Sequence, residues 1–348
     1  MDLLRRSIVF YCNRRQARLM QNTAKLAWSS IASFAEGADW LLLVVPGLIW
    51  GASFLFIAEG MRSIGPNGVT FVRILIGFAT LSLFPAARKP VKESDWAGIV
   101  ALGVLWLAFP LSMFPLAEQH ISSALTGMLN GANPLFTAIV AAAIARRAPA
   151  RRIVAGVAVG MAGTVLMALP TIGEGHSSAA GVGMIMAALV AYGFALNIAR
   201  PLQRRNGALP VIWRAQMVAL VLTAPLGLPD TLAAHWKPGP VAALLALGAL
   251  GTGVAHAVMS FSAGRLGATR ASGTTFLIPA VALFLGVVVR GEKVALLSVA
   301  GSVACVGGAW LMRRAQNSCE VQNSSHRQAR PQIIHGSQLR LPDFRECK

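Results

Sequence analysis

An all-α integral membrane protein, ten transmembrane helices in two inverted five-helix repeats, is what the amino-acid pattern of this chain predicts. Three observations carry that prediction. Of the 348 residues, 55% are hydrophobic and 13% charged, with a mean hydropathy of +0.61; a soluble protein carries about 25% charged residues. The apolar residues fall in ten continuous runs, each near the length of about 20 residues that a helix needs to cross a bilayer. Such runs do not alternate, which excludes a closed barrel. Finally, Ile121–Met167 and Leu266–Met312 overlay without a gap at an offset of 145 residues, with Pro134 on Pro279, Gly156 on Gly301, Gly163 on Gly308 and Leu166-Met167 on Leu311-Met312.

The spans follow in order. Trp40–Ala58 is an apolar run with Trp50-Gly51 in its second half. Pro66–Ala87 opens on a proline, which suits a helix start, and carries Arg73 near its beginning. Trp96–Leu116 is continuous, and Ile121–Ala145 carries Pro134 at its middle. Ile153–Pro170 is striped with glycine and closes the first half. The second half repeats the series as Ala179–Ala199, Val211–Leu228, Val241–Gly264, Ala271–Val289 and Val294–Met312. Trp50-Gly51 lies over Tyr192-Gly193, and Arg73 has a loose counterpart in Arg214. The domain boundaries expected from this are a basic N-terminal extension at 1–38, a first repeat at 39–170, a second at 179–313 and a polar, disordered tail at 314–348.

Five helices per half is an odd number, so the second half enters the membrane from the opposite side. Loop charges agree. With the N-terminus inside, the inner loops hold fourteen basic residues, among them Arg88, Arg146, Arg147, Arg151, Arg205 and Arg314, against four outside, Arg62, Lys237, Arg290 and Lys293. That is the positive-inside pattern, with both termini cytoplasmic. The net charge of +18 is thereby explained by topology, and nucleic acid is excluded as a partner. Residues 1–38 include Arg5, Arg6, Arg14 and Arg15 but no uninterrupted apolar core of a signal peptide. They read as a disordered or artificially extended tail, with an amphipathic segment on the anionic inner leaflet as the other reading. Cys12, Cys305, Cys319 and Cys347 show no metal-ligand spacing and read as inert thiols. No metal and no cofactor are expected.

A transport pathway needs polar groups at membrane depth. Thr126, Asn130, Asn133 and Thr137 are spaced 4, 3 and 4 and share one helical face. Pro134 in that face frees a backbone carbonyl one turn earlier. Lining of a cavity is one reading of this stripe; hydrogen-bonded packing between helices is the other. In the ninth span Thr275 overlies Asn130 and Pro279 overlies Pro134. Paired broken helices near the midplane are where transporter repeats build their site. Trp50, Phe54, Trp106, Tyr192 and Phe194 are aromatic wall candidates, and Asn197 and Gln216 further polar ones. Arg73 either snorkels back to the interface or binds a substrate carboxylate. His256 either couples transport to protons or packs as a neutral ring. No Asp or Glu lies deep in any span, so a carboxylate proton relay is not evident. Gly156, Gly160 and Gly163, with Gly301 and Gly308 opposite, read as a helix-packing seam.

A membrane-embedded enzyme would need a convergent acid, base or metal set, and neither HExxH nor a carboxylate pair is present. No GxxxxGK[ST] loop supports direct ATP drive. The internal repeat favours a secondary transporter over a non-transporting scaffold or receptor.

The chain also resembles the drug/metabolite transporter (DMT) superfamily, in particular its ten-helix EamA-type branch. The residues that carry the resemblance are Leu48-Ile49-Trp50-Gly51-Ala52-Ser53-Phe54, Pro66 and Arg73, then Gly273-Thr274-Thr275-Phe276-Leu277-Ile278-Pro279 leading to Gly291-Glu292, and Gly301, Gly307, Gly308 and Arg313-Arg314. The resemblance covers Trp40–Arg314. It implies a central cavity between the halves, alternating access, and movement of a small metabolite, amino acid or drug, read as export, across the bacterial inner membrane. Lipid and a small molecule are the implied partners, for a monomer or a homodimer. One departure is Arg146-Arg147, where this family often has Gly-Glu.

Overall fold

The computed structural model describes residues 41–146, 149–172, 176–266 and 272–329. The basic extension at 1–38 and the loop residues Arg147 and Arg270 lie outside them. Every regular element among the described residues is helical. In chain order they are α1 (Leu41–Gly60), α2 (Pro66–Ser82), α3 (Glu93–Ala117), α4 in two pieces (Ser123–Asn130 and Asn133–Ala145), α5 (Arg151–Ile172), α6 (His176–Asn206), α7 (Ala208–Leu232), α8 (Pro238–Leu245 running on to Leu266), α9 (a 3-10 turn Ser272–Phe276, then Leu277–Arg290) and α10 (Leu296–Ala329). Eight are long and apolar enough to cross a membrane; α2, at 17 residues, and the apolar stretch Thr274–Arg290 of α9 are shorter. The chain is a multi-pass membrane protein. The tail expected to be disordered from 314 onward begins instead as helix, since α10 continues to Ala329.

Helices from the two halves pair crosswise. α5 packs along α10, α2 against α7 and α8, α7 against α3, and α6 against α4. The contacts mirror each other. Gly51 of α1 lies against the Ile278 carbonyl of α9, and Gly193 of α6 against the Phe136 carbonyl of α4. Gly103 of α3 lies against Val218 and the Ala215 carbonyl of α7; Gly248 of α8 lies against Ile76 and the Arg73 carbonyl of α2. At each place a missing Cβ lets one backbone approach another.

Two irregularities repeat at the offset of 145. The α3 segment Gly103–Ala108 and the α8 segment Ala246–Val254 are π-helical, and Gly103 and Ala108 fall on Gly248 and Gly253. A π segment holds one extra residue and leaves carbonyls without their usual partner. Likewise α4 breaks at Gly131-Ala132 and α9 passes from 3-10 to α at Phe276-Leu277. Each break sits two to three residues before a proline, whose ring cannot follow the preceding turn. Pro134 is therefore at the start of the second piece of α4, not inside a continuous kinked helix.

Acidic side chains tie the ends together. Asp230, at the end of α7, accepts from the Gly68 N–H at the start of α2 (3.1 Å). Glu292, just past α9, accepts from the Ser123 and Ala124 N–H groups at the start of α4 (3.2 and 2.8 Å). Each carboxylate offsets the positive end of a helix in the other half. At the opposite end Arg205 and Asn206 of α6 donate to Asp95 of α3 at 2.7 and 2.6 Å.

Candidate functional site

The wide turn of α8 gathers the polar candidates. Its Gly251 and Thr252 carbonyls accept side-chain bonds from neighbouring helices. Trp50 of α1 donates its indole N–H to the Gly251 carbonyl (2.9 Å), and Gln216 of α7 donates its amide to the Thr252 carbonyl (2.8 Å). Arg73 of α2 donates Nε–H to Thr252 Oγ1 (2.9 Å). Four helices thus meet on two consecutive residues. Thr252 Oγ1 in turn donates to the Leu247 carbonyl five residues back (3.3 Å), the spacing a π turn creates.

Arg73 does not snorkel. It is 6% exposed, and its Nε is held at the hub. Its two terminal nitrogens make no hydrogen bond among the described residues, and it lies within electrostatic reach of Tyr192 and Glu118. The Gln216 Oε1 beside it is buried and accepts no hydrogen bond among the described residues. A buried cation and a buried acceptor with open valences therefore share one residue. Leaving such groups unpaired costs about 1–3 kcal/mol each.

Aromatic rings close round this hub. His256 packs edge-on against Trp50 (5.5 Å between centroids) and Trp106 (5.9 Å), with Gly251 and Thr252 backbone within hydrogen-bonding reach. Phe54 meets Phe114 at 5.6 Å, and Phe114 meets Tyr192 at 6.0 Å. Phe194 points away, 42% exposed.

The α4 stripe divides. Asn130 Oδ1 is buried and accepts no hydrogen bond among the described residues, whereas Thr126 and Thr137 donate to carbonyls four residues back, Ser122 and Asn133. Asn133 reaches Thr137 within the same helix (3.4 Å). Asn197 of α6 donates to the Thr137 carbonyl of α4 (3.1 Å) and to Gly193 (2.8 Å), so its amide joins two helices. Thr275 is half-buried, and Pro279 is buried against Gly131, at the break in α4. The two breaks are thus in contact, but the hub of open valences lies on α8. In the seam, Gly156, Gly160 and Gly163 of α5 face the backbone of Gly301 and Gly308 of α10, and Leu135 also covers Gly160.

Three participants escape sequence reasoning. Thr252 is one threonine in an apolar run; the run Gly248, Gly251, Gly253 around it is the signal. Glu118 looks like a helix-end residue, and Glu292 enters only through the outer turn and the Gly291-Glu292 motif. Yet both Glu118 oxygens are sealed from solvent and accept no hydrogen bond among the described residues. Glu292 also accepts from Ser123 Oγ (2.6 Å) and Arg290 Nε (3.0 Å).

A multi-pass helical bundle with a desolvated cation at its centre and helices broken at matching places has the makings of a membrane transporter. Comparison with known proteins places it more closely. The profile of the EamA-like transporter family matches residues 39–169 and 179–314; the chain belongs to that family and is a membrane transporter. It is 22% identical over 276 residues to an uncharacterized transporter of Archaeoglobus fulgidus, covering 79% of this chain and 98% of that one. It is 24% identical over 278 residues to a probable terminal-alkyne amino-acid exporter of Streptantibioticus cattleyicolor, covering 78% and 92%. It is 25% identical over 270 residues to the uncharacterized transporter YdfC of Bacillus subtilis, covering 75% and 86%. A solved crystal structure shares the fold with a TM-score of 0.56 at 19% identity, over 79% of this chain and 96% of that one.

Proposed function

We propose that the protein is a secondary transporter exporting small zwitterions of the amino-acid class across the bacterial inner membrane by alternating access. The observation that carries the proposal is the pairing at Thr252: the Arg73 guanidinium with two open nitrogens, beside the open Gln216 Oε1. Arg73 suits a carboxylate, which takes a guanidinium in bidentate fashion, and Gln216 Oε1 suits an ammonium. Trp50, Trp106, Phe54 and Tyr192 supply apolar wall for a side chain. The name of the Streptantibioticus relative points to the same substrate class. The mirrored crosswise contacts support two inverted repeats rocking about a shared centre, and the absence of ATP-binding motifs in the sequence supports a gradient-driven, non-enzymatic role.

The test is flux in proteoliposomes holding the purified full chain, with radiolabelled neutral L-amino acids, including one with a terminal-alkyne side chain. Saturable counterflow is expected, lost in Arg73→Gln. Binding by thermal shift without flux of any tested compound favours a scaffold or receptor instead.

A further inference from the structure

We propose that Glu118 is a proton-binding site at the acidic end of the bundle: its carboxylate holds a proton while Glu292 latches α4 shut there and gives it up when the latch opens. The site rests on the transport reading for its use in a cycle, but its chemistry stands on this end of the molecule alone.

Glu118 follows α3 and lies outside the spans. Both its oxygens are sealed from solvent and accept no hydrogen bond among the described residues. An ionised carboxylate so placed is strongly disfavoured, because nothing replaces its hydration. Glu292 is its opposite. Its carboxylate takes Ser123 N–H, Ser123 Oγ–H, Ala124 N–H and Arg290 Nε–H, all at 2.6–3.2 Å. Bonds of this kind, at a helix start and from a guanidinium, are among the strong ones. The two nearby carboxyls thus have opposite surroundings: one is held by four donors, the other has none among the described residues and is the one suited to hold a proton. Burial, then the Glu292 charge, holds Glu118 well above the usual carboxylate range; Arg290 and Arg73 pull the other way. Arg73 in turn faces Tyr192, and His120, two residues on, is the other titratable group of this turn.

The next residue, Gln119, lines a cavity of about 600 Å³ with Ser63, Gly65 and Asp230, open at this end. Water therefore reaches the residue beside Glu118. When α4 parts from Glu292, Glu118 meets that water, the O–H bond breaks and the proton leaves to it. On closure the reverse occurs, and no other bond changes. The device is one-sided. Gly291-Glu292 falls at the offset of 145 on Arg146-Arg147, so at the basic end the sequence offers no acid in the matching place.

The experiment is infrared difference titration of the purified full chain in lipid, wild type against Glu118→Gln and Glu292→Gln, with the proton itself as probe. A protonated-carboxyl band is expected in the wild type with a midpoint well above that of a free glutamate, about 4.3. It should vanish in Glu118→Gln and titrate lower in Glu292→Gln, which removes the like charge. No such band in the wild type, or a band that survives Glu118→Gln, overturns the proposal. Should Glu118→Gln fail to fold, a midpoint unmoved by Glu292→Gln overturns it alone. Absence of amino-acid flux in the wild type would remove the transport reading while leaving the titration intact, so the two failures are separable.

Discussion

Two neighbouring glycines of α10 should respond to the same mutation with opposite sign. A Cβ at Gly308 would sit 2.5 Å from Gly160 Cα and 2.6 Å from the Gly156 carbonyl of α5, whereas a Cβ at Gly307 meets nothing within 4 Å. Carbon atoms in contact normally stand about 3.5–4.0 Å apart, and backbone, unlike a side-chain tip, cannot turn aside. Gly308→Ala must therefore push α5 and α10 apart by about 1 Å, which forfeits a quarter to a half of each contact along the seam. Overpacking of this kind costs about 1–3 kcal/mol, and the better helix propensity of alanine returns less than about 1 kcal/mol of it. A net loss of about 2 kcal/mol is expected. Gly307→Ala keeps only the propensity gain, up to about 1 kcal/mol. At roughly 2–4 °C per kcal/mol, the two variants should differ by about 6–12 °C in apparent Tm. The assay is thermal unfolding of the purified protein followed by tryptophan fluorescence, with monodispersity checked by size exclusion. Equal shifts in both variants, or a Gly308→Ala variant as stable as wild type, would refute the claim that α5 and α10 meet backbone to backbone.

Further outcomes concern the turn, the hub and the acidic end. Arg146 closes α4 in the left-handed region at φ 50°, where its counterpart Gly291 has φ 66°; Arg146→Gly should raise stability by about 1 kcal/mol, read as a higher Tm. Thr252→Val removes the acceptor of Arg73 Nε, and flux of the proposed substrate should fall about tenfold or more, as for a lost charged hydrogen bond; unchanged kinetics would separate Arg73 from the site. Asn130→Leu should abolish flux with folding intact, as its buried Oδ1 meets no donor among the described residues. Stability should also follow pH. The Glu118 acid is held above its unfolded value, so its contribution is fully present below about pH 4.3 and is lost as pH rises through the folded value. A Tm that falls with rising pH in the wild type should flatten in Glu118→Gln.

The helices were legible in the sequence because a bilayer leaves few solutions for a long apolar run. The paired breaks near Pro134 and Pro279 were legible too, since proline acts locally. What the pattern missed depends on long-range geometry. Arg73 looks the same in sequence whether it snorkels or reaches Thr252; only the approach of α2 to the wide turn of α8 settles it. A π turn has no strong local signature, so Thr252 passed unnoticed. The contrast between Glu118, at a helix end, and Glu292, in the turn after α9, comes from the meeting of α3, α4 and α9. Asn197 was a fair polar candidate, but its amide is consumed between α4 and α6.

The wide turns in α3 and α8 also constrain what packs beyond them. An extra residue slipped into one helix shifts every side chain beyond it by about 100°, so it is tolerated only where a partner helix already fits the shifted face. Here both halves have the insertion at the same offset, and both present the same glycine, Gly103 and Gly248, to the same kind of partner. The hydroxyl is not shared: Leu107 stands in the wide turn of α3 where Thr252 stands in that of α8, so only the second half can hold the polar hub.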